Sequence, residues 1–366
     1  MLIWHLSYQH AEAATGARFG HLRTPHELFM SSIRDVAKMA NVSVATVSRY
    51  LNDPDKVARK SAEAVEKAIS QLNYKPNLLA RNFFKSRSYS ILVLVPNIAN
   101  PFFSRVIRGI EDIGQQRGYA VLLGDTRFSK EREAEYYRRV ETRQAEGVIQ
   151  LSPNFPGAGL PNHSNIPLVN ACECLPDAPY PTVNIDNAEA AKTVVEYLIS
   201  LGHRRIGCVL GPYQDAKTHP ITHDRLMGYR HALESAGIEF DETLLVPGDF
   251  SLKSGLDASA HFIGLSGQPS AVFCMNDEMA IGLIQGLKAR GLQVPKDVSV
   301  AGFDDIEFAQ YSDPALTTIS QPAEDIGRTA MNVLVQLLEG ANVQPIRHTL
   351  PTKLIVREST APPKAS

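Results

Sequence analysis

Residues 33–52, Ile-Arg-Asp-Val-Ala-Lys-Met-Ala-Asn-Val-Ser-Val-Ala-Thr-Val-Ser-Arg-Tyr-Leu-Asn, constrain the fold more than any other stretch of this chain. Apolar residues recur at helical spacing on both sides of Asn41, which predicts two short helices joined by a tight turn. Val36, Ala40, Val42, Val47 and Leu51 fall where the helices press together, and Ala37 and Ala40 are small enough for a close crossing. Asn41 tolerates the left-handed backbone that a three- to four-residue turn needs. Ser43 is placed to cap the second helix, and Val44, Ala45, Thr46, Ser48 and Arg49 are left facing outward. This is the pattern of a helix-turn-helix whose second helix enters a major groove. The competing account is an ordinary helical hairpin.

The flanking residues favour the first account. A third helix is expected from about Ser61 to Leu72, with Ala62, Val65, Ile69 and Leu72 closing a three-helix core. Residues 31–90 carry 11 Lys and Arg against 5 Asp and Glu, a net charge of +6, whereas the whole chain is −2. The remainder is therefore −8, and a basic head on an acidic body is the electrostatic footprint of a nucleic-acid module joined to something else. In the reading helix Val44 and Ala45 suit thymine methyls, while Arg49 can fork onto guanine O6 and N7, a contact worth roughly 1–3 kcal/mol of discrimination. One head reads only a few base pairs, so tight operator binding calls for a homodimer on a two-fold-related site.

From Ser90 onward apolar strand-like runs alternate with amphipathic stretches. Strands are expected at 91–96, 119–124, 147–151, 167–170 and 182–186, with helices at 102–117 and 130–145 between them. The pattern restarts with helices at 187–201, 223–236, 252–265 and 277–290 and strands at 205–210, 271–275 and 299–303. Such alternation implies doubly wound parallel sheets covered by helices, and two series imply two lobes. The first lobe is expected over about 89–186 and 320–349, the second over about 187–319 and 350–357, with helix 324–338 returning to the first. The whole reads as an all-α head (31–76), a linker (77–88) and a two-lobed α/β body (89–357) of the periplasmic-binding-protein type.

Ligands of doubly wound sheets bind outside the carboxyl ends of the strands. The residues there are Asn276-Asp277 after the strand at 271–275, Asp304-Asp305 after 299–303, Phe250 after a short strand before Gly248, and Phe102-Phe103 after the first strand's loop. Each has a plainer account: a polar residue after a strand often caps the next helix, and an aromatic is often core. Together they offer polar groups and flat apolar faces, which suits a sugar ring joined to a base.

No run approaches the roughly 18–20 continuous apolar residues of a membrane span. Met1-Leu2-Ile3-Trp4 lacks the basic start and long apolar core of a signal peptide, so an intracellular, cytoplasmic protein without a membrane partner is expected. Residues 1–30 have no clear periodicity and read as a disordered arm or a start codon placed too early; residues 358–366, with Pro362 and Pro363, read as a frayed tail. Cys172, Cys174 and the other two cysteines have no second Cys/His pair at zinc-ligand spacing, and read as buried or half-buried thiols. There is no G-x-S-x-G, Walker lysine loop or H-E-x-x-H. No catalytic role and no cofactor is expected. A solute-binding protein would share the body but not the basic head.

Val42-Ser43-Val44-Ala45-Thr46-Val47-Ser48-Arg49, then Asn73-Tyr74-Lys75-Pro76-Asn77 and Ala80-Arg81, resemble the head of the lactose/galactose-repressor family of bacterial regulators. The resemblance continues to about Arg357 through Asn100-Pro101-Phe102-Phe103, Gly202-His203-Arg204-Arg205-Ile206, Asn276-Asp277, Gly302-Phe303-Asp304-Asp305 and Leu316-Thr317-Thr318-Ile319. The runs at 107–111, 248–250 and 271–274 are most similar to its cytidine-responsive members.

That resemblance implies a small effector held by Asp304, Asn276 and Arg225, with a nucleobase stacked between Phe102 or Phe103 and Phe250. It implies that Asn77, Ala80 and Arg81 lie in a hinge that contacts DNA, and that Phe83 stands where the family pushes a leucine into the minor groove. A phenylalanine is also a plausible wedge there, although Phe83 and Phe84 would equally pack paired hinge helices together. It implies a homodimeric repressor relieved by a nucleoside and, as a further partner, the cyclic-AMP receptor protein on adjacent DNA. Purine- or sugar-responsive repression is the alternative within the family.

Overall fold

The computed structural model describes residues 31–75, 87–151, 166–173, 180–213, 219–343 and 346–364. The expected hinge contacts Asn77, Ala80, Arg81 and Phe83, the extension 1–30 and Cys174 lie outside the described residues. The chain divides into two compact units, 1–86 and 87–366.

In the first unit α1 (Ile33–Ala40) starts from a reciprocal cap. The Ser32 hydroxyl accepts from the Asp35 amide at 3.3 Å, and the Asp35 carboxylate accepts from the Ser32 amide at 2.8 Å. Asn41 ends the helix in the left-handed region at φ 54°, ψ 45°. The turn leads into α2 (Val44–Asn52), capped by Ser43, and α3 (Arg59–Leu72) follows. Val36, Ala37, Ala40, Val47, Val65 and Ala68 form the core, with Val42, Leu51, Ile69 and Leu72 packed against it. Ala62 lies outside that cluster, and Ala68 fills the inner position beside Val65.

The second unit holds two six-stranded sheets. The first comprises β1 (Ser90–Val95), β2 (Ala120–Asp125), β3 (Gly147–Gln150), β4 (Leu168–Ala171), β5 (Thr182–Ile185) and β11 (Arg347–Leu350), in the order β11-β5-β4-β3-β1-β2, all parallel. The second comprises β6 (Ile206–Val209), β7 (Leu245–Val246), β8 (Ala271–Cys274), β9 (Ser299–Asp304), β10 (Thr317–Ser320) and β12 (Lys353–Ile355), in the order β12-β10-β9-β8-β6-β7. Only β12 is antiparallel, pairing with β10.

Strand β1 shows why the sheets are covered on both faces. Ile91, Val93 and Val95 pack in one core cluster with Val106 and Ile110 of α4 (Pro101–Arg117), while Leu92 and Leu94 pack in another with Tyr137 and Val140 of α5 (Lys130–Glu141). A strand buried on both faces reads as a continuous apolar run, as β1 does. Helix α10 (Ala323–Leu338) packs against α4, so the chain does return to the first lobe after β10. Helices α6 (Asn187–Ser200), α7 (Pro220–Ser235), α8 (Leu252–Gly264) and α9 (Asp277–Ala289) clothe the second sheet.

The terminal segment overturns one expectation. Residues 358–364 do not fray: Ser359 is fully buried. Its hydroxyl donates to the Val300 carbonyl at 2.6 Å and accepts from the Thr317 amide at 2.8 Å, while its carbonyl accepts from the Val300 amide at 2.8 Å. The Ala361 carbonyl accepts from His203 at 2.9 Å and from the Ser299 hydroxyl at 3.0 Å. Backbone groups at the starts of β9 and β10 would otherwise be buried without partners, and the proline-rich segment satisfies them. Proline content suggested a loose end, but it says nothing about where unpaired backbone groups await a partner.

Candidate DNA-reading helix and effector cleft

On α2, Val47 is completely buried and orients the helix, which leaves Ser43, Val44, Ala45 and Arg49 exposed and Thr46 and Ser48 half-buried. Val44 is 42% exposed, high for an apolar residue in a small domain with a formed core. Ser43 accepts from the Thr46 amide at 3.1 Å and lies 2.9 Å from the Thr46 hydroxyl, so these two side chains also stiffen the first turn. Among the described residues the Arg49 guanidinium has no hydrogen-bond or ionic partner. A free fork beside exposed small apolar side chains can meet base edges without first breaking a contact.

In the body, a cleft of about 740 Å³ is lined by residues of both lobes. Phe102 and Phe103 come from the first turn of α4, which Asn100 caps by accepting from the Phe102 amide at 2.9 Å. Their rings meet edge to face at 5.4 Å. Phe250, Arg225, Asn276 and Asp304 come from the second lobe and line the same cleft. Phe250 takes φ 65°, Cys172 72° and Asp304 117°. Backbone strain at three cleft residues is a common mark of functional sites. Gly211 makes room for Phe250, since a Cβ there would lie 2.1 Å from the ring's Cζ.

Arg225 is buried, and its Nε donates to Asn187 Oδ1 at 2.9 Å while Nη1 donates to the Met275 carbonyl. Its guanidinium lies 3.7 Å from the centre of the Phe303 ring and 3.9 Å from Asp304 Oδ1. Asp304 Oδ1 accepts from Gln321 Nε2 at 2.6 Å, which leaves Oδ2 unengaged by any described residue. Burial pushes the Asp304 carboxyl up, with the Arg225 charge and the Gln321 bond opposing that shift. Burial also holds the Arg225 pKa down, against the pull of Asp304, Glu173, Asp277 and Asp224. A buried cation and carboxylate at the floor, each with unused hydrogen-bonding capacity, can bind a polyhydroxylated ring through charge-assisted bonds.

Asn276 serves partly as a cap: its Oδ1 accepts from the Met279 amide at 2.9 Å and its Nδ2 donates to the Phe250 carbonyl at 2.9 Å. One amide hydrogen remains for a ligand. Asp277 does not line the cleft. It is fully buried and accepts from Thr318 at 2.5 Å and from the Ile306 amide at 2.9 Å, pinning the segment after β9. Asp305 pairs with Arg357 at 2.7 Å, away from the cleft.

Sequence reasoning missed Phe128, Glu173, His219, Thr222, Glu278 and Gln321 of the lining. Gln321, Glu278 and Glu173 each lie within two residues of a strand end or a site already singled out, so widening that window would have found them. Phe128 and His219 sit on loops and Thr222 in the first turn of α7, and their approach to the cleft has no local signal.

Residues 32–77 match the profile of bacterial regulatory proteins of the lacI family, and residues 195–360 that of a periplasmic binding protein-like domain. The chain is 41% identical over 332 residues to the HTH-type transcriptional repressor CytR of Escherichia coli K12, covering 90% of this chain and 96% of that one. It is 36% identical to the HTH-type transcriptional regulator RegA of Clostridium saccharobutylicum, over 90% of this chain and 99% of that one. Against the HTH-type transcriptional repressor PurR of Vibrio atlanticus the figure is 34%, over 85% and 92%. The Lac repressor dimer bound to operator and the anti-inducer ONPF superposes with a TM-score of 0.80 at 28% identity, over 91% of this chain and 99% of that one. A complex of the transcriptional regulator CelR with cellobiose gives 0.69 at 33%, over 90% and 99%. The helix-turn-helix head, the two-lobed body and these likenesses over nine-tenths of the chain agree: the protein belongs to the LacI family of bacterial DNA-binding regulators and is a repressor similar to CytR and PurR.

Proposed function

We propose that the chain binds a two-fold-related operator as a homodimer and is released from it by a nucleoside, cytidine above others. The observation that carries this reading is the cleft, which joins aromatic faces from both lobes to a buried Arg225 and Asp304 at its floor. The rings stack a base while the charged pair takes the ribose hydroxyls through Asp304 Oδ2 and the unspent Arg225 donors, with Asn276 beside them. Ser43, Val44, Ala45, Thr46, Ser48 and Arg49 read the operator. Asn77, Ala80, Arg81 and Phe83 complete the contact through the hinge. Effector binding and operator binding are coupled by about 1–3 kcal/mol, the usual size of such linkage. The protein works in the cytoplasm, with the cyclic-AMP receptor protein as a neighbour on DNA, as the resemblance of its sequence motifs implies.

The test is a melt of the full chain with cytidine, uridine, adenosine, hypoxanthine, ribose and galactose in turn. A ligand at 100 times its Kd stabilises the folded state by about 2.7 kcal/mol. Cytidine gives the largest shift and ribose a small one. If ribose or galactose outperforms every nucleoside, the protein is a sugar-responsive repressor; if hypoxanthine does, a purine-responsive one.

A further inference from the structure

Glu278 stands apart from the other acidic residues of the cleft. It is the second residue of α9, directly after Asn276 and Asp277, and its carboxyl lines the cleft while making no hydrogen bond or ion pair with any described residue. Asp304 by contrast holds Gln321, and Asp249 holds the Ser251 amide. Asn276 ties the Phe250 backbone to the start of α9, so Glu278 and the Phe250 ring belong to the same wall. A side chain that lines the same cleft as Phe250 can meet the edge of a base whose face lies on that ring.

We propose that Glu278 reads the base, pairing with an amidine-like edge in which an exocyclic amino group stands beside a basic ring nitrogen. This rests on the nucleoside reading above. A carboxyl placed edge-on to such a base makes two parallel hydrogen bonds: one oxygen accepts from the amino N–H, and the other shares a proton with the ring nitrogen. Cytosine offers this pair at N4 and N3. Uracil offers a carbonyl and an N–H instead; it can pair with the neutral acid but has no basic nitrogen to take the proton, so the charge-assisted form is closed to it.

The protonation behaviour fits. Partial burial, and then the charge of Asp304, push the Glu278 carboxyl up to about 7. The charged and titratable groups that line the same cleft are Asp304 at the end of β9, Asp249 before α8, Glu173 after β4, and His219 and Arg225 before and on α7, with Asp277 adjacent to Glu278 on its own helix. In this acidic setting a proton held between carboxyl and base removes a repulsive charge. The bound pair keeps one proton that the free protein loses above neutrality.

The experiment is a titration of the full chain and of Glu278→Gln with cytidine and with uridine between about pH 6 and pH 9. For the wild-type chain the Kd for cytidine rises about tenfold per pH unit above neutrality, because binding takes up one proton. Glutamine keeps a donor and an acceptor but exchanges no proton. The variant therefore binds cytidine with a Kd constant to within about threefold, and its preference for cytidine over uridine falls toward unity. A flat wild-type profile, or a slope and preference that persist in Glu278→Gln, overturns the assignment while leaving cytidine as effector. If neither protein binds either nucleoside, the nucleoside reading itself is wrong and the assignment falls with it.

Discussion

Replacing Asp304 by asparagine separates ligand recognition from structural support. The side chain keeps its shape and can still accept from Gln321, now 2.6 Å away, but loses its charge. A hydrogen bond to a charged group contributes about 1.5–3 kcal/mol, so effector affinity falls by roughly 10- to 150-fold. The ligand-free protein changes much less. Arg225 loses a carboxylate 3.9 Å away but keeps Asn187, the Met275 carbonyl and the Phe303 ring. In the same step the buried cluster loses a charge that pushes Asp277 and Glu278 up. These terms oppose each other, and the net falls well short of the roughly 3–5 kcal/mol of a broken buried ion pair. Each kcal/mol moves the melting temperature by about 2 °C at the size of the second unit, residues 87–366. The assay is a pair of measurements, a ligand-free melt and operator release against effector concentration. A ligand-free melting temperature lower by about 6–10 °C with an unchanged release curve would refute the reasoning, because Asp304 would then be a structural carboxylate.

Two other substitutions test the head and the tail. Arg49→Ala leaves the three-helix core and the body intact but costs roughly 1–3 kcal/mol of discrimination per half-site, read as loss of preference for the operator over a scrambled duplex at matched salt; an unchanged preference would mean that α2 meets DNA another way. Ser359→Ala strips a partner from the Thr317 amide and the Val300 carbonyl, each costing about 1–3 kcal/mol when left buried and unpaired; the body melts lower with operator preference unchanged, and a melt equal to the wild type would show the tail to be expendable.

The head was legible residue by residue because its determinants are local. The left-handed Asn41, the cap at Ser43 and the inward Val36, Val47 and Val65 all follow from helical periodicity and turn chemistry within about forty residues. The alternation of strands and helices likewise announced two parallel-sheet lobes, since a parallel strand needs a crossover and a continuous apolar run. The cleft was only half legible. Strand ends pointed to Asn276, Phe250 and Asp304, but the same rule pointed equally to Asp277 and Asp305. Only the fold turned Asp277 inward to hold Thr318 and sent Asp305 to Arg357. Arg225 sits mid-helix with no local sign of function; burial against Phe303 and Asp304, residues about eighty positions away, gives it one. The docked tail belongs with these. What depends on near neighbours along the chain can be read from composition and spacing, whereas partner choice for a buried charge or an unpaired backbone group depends on which distant segments the topology brings within hydrogen-bond reach.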